Sequence, residues 1–471
     1  MMALVSGSNP KALRDRLVRG SIYRPRNMPY RIIIAFLALA SMAVGETRKP
    51  NVIILFIDDL GYGDIACFGN SFTPTPHMDS LAKEGVMITA SHITNPPCSP
   101  SRCSLITGMY AQRFHKFGMA RGLPIPDYED HPTIAEFMRD AGYVTGQIGK
   151  WDLGGPDQGP HQRGFMEVAR WAPGGQGYDI KLPNGKKGYR TDLDGDYMVE
   201  FVERNKDKPF FLFFSPFAIH SPLKNTPWHY KERIKEGNKT YGGAVAAVDD
   251  QVGKLLATLK KHGLEKHTLI LFAGDNGAGA GGLSAPFAGG KAAAKDGGTA
   301  KEGWVRTPAI AWWPGTIAGG QKYEGLTATI DYYATAAAVI GKKVPDKVDG
   351  KNLIPYFTGK AKGDVHDHLY FYNADPKDAK HRHLSAVRWQ KWRLHFDKKD
   401  KTWKLYDLHA DPREENDLAN KQPEVVKILK AKHETFVASL PSIDTIPQYS
   451  NVWNKPPEGH GWIIGDGKSG E

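Results

Sequence analysis

The chain reads as an α/β protein, a large β-sheet covered by helices on both faces, followed by a smaller antiparallel sheet with a packed helix. Continuous apolar runs at 51–57, 142–149, 210–214 and 268–273, bounded by glycine, proline or charged residues, have the length and composition of buried strands. Helix-periodic stretches such as 133–141 and 243–262 separate them, and that alternation implies a sheet with both faces covered. After about residue 360 the texture changes. Short strand-like segments at 369–371, 386–389, 392–396 and 405–408 precede an amphipathic stretch at 424–440.

A length of 471 residues accommodates one large domain and a smaller one. We divide the chain into an N-terminal leader (1–45), a catalytic domain (46–360) and a C-terminal α+β subdomain (361–471). With 41% hydrophobic, 24% charged and 11% aromatic residues, the composition excludes a disordered or fibrous chain. In the leader, basic residues lead to Tyr30 and Arg31, 32–44 is apolar, and Ala43-Val44-Gly45 offers a small-residue cleavage site before Glu46. This pattern reads as a secretory signal, and its apolar stretch is too short to span a bilayer. Met28, just ahead of Arg31, offers a later start, which would make 1–27 an over-long N-terminus. The expected product is exported, periplasmic or secreted, with no transmembrane span in the mature chain. Removing 1–45 takes away seven cations and Asp15, so the formal charge of +11 falls by six to +5. Such a mildly basic surface accommodates an anionic substrate as well as a solvated face, and no nucleic-acid motif occurs. Three cysteines, Cys67, Cys98 and Cys103, are too few for a disulfide scaffold.

The apolar runs end in chemically capable residues. Run 51–57 ends at Asp58-Asp59, run 142–149 at Lys150, run 268–273 shortly before Asp275-Asn276, and His220 follows 210–214. Ligands of α/β sheets collect at the carboxyl ends of strands, so these residues converge on one rim. Two adjacent buried carboxylates repel one another and lose hydration, and they require a proton or a cation. A turn or helix cap accounts for either acidic pair taken alone.

Cys98-Ser99-Pro100-Ser101-Arg102, continuing through Leu105, Thr107 and Gly108, resembles the signature that formylglycine-generating enzymes read in sulfatases. Leu405-Tyr406-Asp407-Leu408, Asp411-Pro412 and Glu415-Asn416-Asp417-Leu418-Ala419 resemble the C-terminal subdomain of that family. The stretch 308–315 looks most like the arylsulfatase A and N-acetylgalactosamine-6-sulfatase branch, and the likeness runs from about 51 to 440. The resemblance implies the alkaline-phosphatase-like fold, a large mixed sheet sandwiched by helices. It also implies a sulfuric ester hydrolase acting on a sulfated carbohydrate or aryl sulfate. A formylglycine-generating enzyme would convert Cys98 to formylglycine (3-oxoalanine), whose hydrate attacks sulfur.

Carried over residue by residue, the family pattern places the metal ligands at Asp58, Asp59, Cys98, Asp275 and Asn276. This hard-oxygen set suits Ca²⁺ or Mg²⁺ rather than zinc, and the resemblance favours calcium. It assigns sulfate and formylglycine contacts to Lys150 and a substrate contact with proton donation to His220, while Arg102, four residues after Cys98, is placed to fold back towards it. Two positions depart from the pattern. Asp152 stands where the family has a histidine, either as an alternative base or as the mark of a weakened enzyme, with His115 and His161 as stand-ins. The sulfate-binding lysine is displaced, leaving Lys295 ranked first and Lys291 second. The competing readings are a phosphonate monoester or phosphodiester hydrolase of the same superfamily, and a weakened protein that binds sulfated glycans.

Overall fold

The computed structural model describes residues 48–119, 123–127, 129–154, 158–169, 179–181, 187–294, 301–374 and 384–447. The leader 1–45 and Lys295 lie outside these residues.

Eight strands form the main sheet: β1 (Asn51–Ile57), β2 (Val86–Ile88), β3 (Val144–Gly149), β4 (Glu167–Ala169), β5 (Phe210–Ser215), β6 (Thr268–Gly274), β7 (Ala309–Trp312) and β8 (Gln321–Tyr323). Their order is β8-β2-β7-β6-β1-β5-β3-β4. Neighbours pair in parallel except around β7, which is antiparallel to both β6 and β2, so the sheet is mixed. All seven residues of β1 are buried because both faces are covered. Alternation sends Ile53, Leu55 and Ile57 into one core and Val52, Ile54 and Phe56 into the other.

The covering helices are α1 (Pro76–Glu84), α2 (Cys98–Thr107), α3 (Ile134–Asp140), α4 (Arg190–Asn205), α5 (Lys239–Lys261) and α6 (Asp331–Val339). On the first face, α1, α4 and α5 contribute Leu81, Phe201 and Val252. On the second, α2, α3 and α6 contribute Ile106, Met138 and Ala336. Helix α5 begins four residues before the apolar pattern, because the Asn238 side chain accepts a hydrogen bond from the Tyr241 N–H and caps the first turn. Cys67, partly buried, and Cys103, buried, are free thiols packed against the cores on opposite faces of the sheet.

The C-terminal part is an antiparallel sheet, β9 (Leu369–Asn373), β10 (Leu384–Trp389), β11 (Trp392–Asp397) and β12 (Thr402–Asp407), packed by α7 (Pro423–Ala438). Leu429 of α7 meets Val387, Leu394 and Leu405, while Leu369 and Phe371 share a third core with Trp304 and Tyr110.

Parallel register brings the carboxyl ends of β1, β3, β5 and β6 together. Ile57 pairs with Gly274 and Gly149 with Ser215. The Lys150 N–H then donates to Ser215 O at 2.7 Å, and the Asp275 N–H to Ile57 O at 2.9 Å. Gly149 has φ of 94°, and a Cβ there would lie 2.1 Å from Ser215 O. Gly142, at φ of 86°, has open space around it. Gly142→Ala is therefore expected to cost the ~1–2 kcal/mol of a left-handed non-glycine residue. Gly149→Ala, which adds a backbone collision, should cost at least twice as much in a denaturant melt.

Candidate active site

Cys98 is the first residue of α2, where the amides of the first turn make a partly positive environment. It is 1% exposed, and its Sγ lies 3.4 Å from Asp58 Oδ1 and 3.2 Å from Asn276 Oδ1. Lys291 donates to the same sulfur at 2.9 Å. Burial, reinforced by Asp275, pushes the thiol up to about 12, so an unmodified Cys98 is a neutral thiol rather than a ready nucleophile.

Three carboxylates and three cations surround it. Asp58 takes Lys150 at 2.7 Å, Asp59 takes Lys291, and Asp275 Oδ2 takes Arg102 from Nε at 3.0 Å and from Nη2 at 2.6 Å. All six side chains are buried. Burial alone would raise the Asp58 carboxyl, but Lys150, His220 and Arg102 outweigh it and hold the group well below the usual range. Burial and the Asp58 charge push the Asp275 carboxyl up to about 7, against the opposing pull of Arg102, Lys150 and Lys291. Burial disfavours the Lys150 ammonium, yet Asp58 outweighs it and keeps the lysine charged.

Arg102 lies one turn into α2 and spends its guanidinium on Asp275, the Lys150 carbonyl (3.1 Å) and the Ser215 hydroxyl. Its role in this geometry is to fix the Asp275 carboxylate and the end of β5. Ser215 carries no motif, and its place at the last position of β5 is the signal that could have found it.

One ligand atom from each of Asp58, Asp59, Cys98 and Asp275 lies within 4.8 Å of the others. Oxygens on opposite sides of a calcium ion, each about 2.3–2.6 Å away, are separated by a similar span. Asn276 adds its amide, with Oδ1 towards Cys98 and Nδ2 donating to Asp59 Oδ1 at 2.8 Å. The donor set therefore fits a hard divalent cation.

His220 shares a cluster of ligand atoms with Asp58 and Cys98. Its Nδ1 donates to Ser221 O at 2.6 Å, a role that makes Nε2 the acceptor in the neutral ring. Burial lowers its pKa despite the Asp58 charge. Asp152, at φ of 60°, has Oδ2 3.8 Å from Lys150 Nζ, so the ammonium lies between two carboxylates. The stand-ins fall elsewhere: His115 Nε2 bonds Thr445 at 3.1 Å, and His161 Nδ1 bonds Phe165 O at 3.0 Å. Of the two lysines proposed for sulfate, Lys291 lies at Cys98, and Lys295 falls outside the described residues.

The Sulfatase family model matches residues 50–342, more than half of the chain. The chain belongs to the sulfatase family. A second model, N-sulphoglucosamine sulphohydrolase, C-terminal, matches 296–439 of this sulfatase. It is 32% identical to N-acetylgalactosamine-6-sulfatase of Mus musculus over 392 residues, covering 72% of each chain. It is 31% identical to arylsulfatase A of Homo sapiens over 467 residues, covering 84% of this chain and 89% of the relative. The solved structure of Ps i-CgsB in complex with k-i-k-neocarrahexaose matches with a TM-score of 0.75 and 27% identity, over 86% of this sulfatase and 95% of that chain. The architecture is the alkaline-phosphatase-like fold of these enzymes, and the protein is a sulfuric ester hydrolase. Among the described residues, no helix is long and apolar enough to cross a membrane.

Removing Arg102 would strand a buried carboxylate beside Asp58. Arg102→Met is expected to lower the unfolding free energy by ~3–5 kcal/mol. Arg102→Lys should recover less than half of that in the same melt, because an ammonium cannot reproduce the fork.

Proposed function

We propose that this sulfatase hydrolyses sulfate monoesters of sugars, with Cys98 in its formylglycine form and a calcium ion held by Asp58, Asp59, Asp275 and Asn276. The observation that carries this reading is the position of Cys98, at a helix N-terminus within hydrogen-bond distance of Asp58, Asn276 and Lys291. Its support for a sugar substrate comes from the N-acetylgalactosamine-6-sulfatase relative and from the relative solved with a neocarrahexaose. Formylglycine supplies a hydrated aldehyde as the nucleophile towards sulfur, and calcium supplies Lewis acidity and charge.

The chain's own residues do the rest. Lys291 and Lys150 present N–H donors to the sulfate oxygens, where negative charge has to be stabilised during transfer. Arg102 keeps Asp275 in place, and Asn276 fixes Asp59. The imidazolium form of His220, whose Nε2 carries the second proton, gives that proton to the departing alcohol oxygen, a form that the Asp58 charge favours and burial disfavours. Asp58, Asp59, Asp275 and Asp152 face Lys150, Lys291 and Arg102, so four carboxylates meet three cations and a divalent ion turns one excess negative charge into one excess positive charge, suited to a singly charged sulfate ester. A formylglycine-generating enzyme is the maturation partner, and the leader pattern at 1–45 supports export.

Co-expression with a formylglycine-generating enzyme is expected to yield a peptide mass showing residue 98 converted, together with turnover of 4-nitrophenyl sulfate well above that of an aryl phosphonate monoester. Unmodified Cys98 in an active preparation would refute the nucleophile assignment, and preference for the phosphonate would replace the reaction class. Lys291→Ala should lower kcat by about 10²–10³, the usual loss for one preorganised donor. Asp275→Ala should lose both tight calcium binding and turnover.

A further inference from the structure

Glu302 lies outside the Cys98 cluster and is fully buried. Its carboxylate accepts from His92 Nε2 at 2.8 Å and Arg393 Nη1 at 2.9 Å, with Arg388 at 3.3 Å and Arg306 at 3.4 Å. Its N–H donates to Glu414 Oε2 at 2.8 Å, and Glu414 Oε1 in turn lies 3.0 Å from Arg393 Nε. Arg388 and Arg393 belong to β10 and β11, and Glu414 lies beyond the end of β12. Burying that many charges is costly, and apolar packing commonly gives equal or greater stability.

The two residues after Glu302 give the network a second use. The Gly303 N–H donates to Ala288 O at 2.9 Å, Ser284 Oγ donates to Gly303 O at 3.1 Å, and the Gly277 N–H donates to Trp304 O at 3.0 Å. These contacts have no slack. A Cβ on Gly277 would lie 1.8 Å from Gly303 O, and one on Gly303 would lie 2.6 Å from Ala288 O. Gly277 adjoins Asn276, and Ala288 is three residues before Lys291, so a shift of 302–304 is passed to two groups that bond Cys98.

We propose that Glu302 is a positioning residue, the clamp by which the C-terminal sheet fixes the Asp275–Asn276 turn and the Lys291 loop. It acts through backbone contacts and touches neither nucleophile nor substrate. The C-terminal sheet is thereby a working part of the site. The calcium arm of the test rests on the proposed metal site; the exchange arm does not.

Glu302→Gln keeps the shape of the side chain and removes its charge. In the full-length matured protein, hydrogen exchange of peptides spanning 274–279 and 286–292 is expected to accelerate about tenfold or more, while peptides within β6 and β9 keep wild-type rates. Calcium binding to the Cys98 thiol form, read by titration calorimetry, should weaken about tenfold. The kcat for 4-nitrophenyl sulfate should fall while KM changes by less than roughly threefold. Glu414→Gln, which leaves the Glu302 charge in place, should show smaller shifts in the same direction and carries the test if Glu302→Gln does not fold. Lys430→Ala, exposed on α7, should match wild type in every readout. Wild-type exchange at both site peptides in a folded variant would overturn the proposal, as would acceleration confined to the C-terminal sheet. Wild-type protein that binds no calcium would remove the metal reading while leaving the exchange result to decide the role of Glu302.

Discussion

Burial of Asp58, Asp59 and Asp275 side by side is the constraint on which the rest of the structure depends. Each carboxylate ends or closely follows a strand of the parallel core, where water cannot reach it. Leaving one buried charge without its partner costs about 3–5 kcal/mol, a large part of the stability of most folded chains. Lys150, Lys291 and Arg102 remove that penalty one for one, and they arrive from three unrelated parts of the sequence. Much of the topology between residues 51 and 306 serves to bring these six side chains to the same place.

The pairing also explains why the elements are arranged as they are. Parallel register aligns the ends of β1, β3, β5 and β6, which sets Lys150 and the Asp275 backbone to within a hydrogen bond. Helix α2 brings Cys98 and Arg102 together, one turn apart, so a single helix positions both the sulfur and the cation that locks Asp275. The Tyr241 hydroxyl of α5 reaches across to donate to Asp64 at 2.5 Å and lies 3.2 Å from the Asp59 carbonyl, holding the turn after β1. A site whose charges are already paired before any ligand enters needs little rearrangement when one does, which is the condition for electrostatic preorganisation.

The residues legible in the sequence were those for which local pattern and chemistry coincide. Asp58, Lys150 and Asp275 stand at the ends of apolar runs, and Cys98 with Arg102 stands in a short signature, so each could be named without knowing its partners. Lys291 was harder to read. The glycine-rich stretch around it has no periodicity, and its contact with Cys98 depends on how that loop folds over Asp59. Ser215 was legible only as the last position of a strand, and the Glu302 network left no local pattern. Glu302 meets His92 across 210 residues and Arg393 across 91, and nothing local to any of these residues records the meeting. The mixed sheet was legible only through family resemblance, since the antiparallel β7 has the same apolar composition as its parallel neighbours.

A crystal structure of the matured protein grown with calcium would show whether the three buried carboxylates share one cation. One cation is expected about 2.3–2.6 Å from oxygens of Asp58, Asp59, Asp275 and Asn276, with the Arg102–Asp275 and Lys150–Asp58 pairs retained. A cation bound instead at the other group of ligand-type side chains, His77, Asp249 and Asp250, or none at saturating calcium, would contradict that expectation.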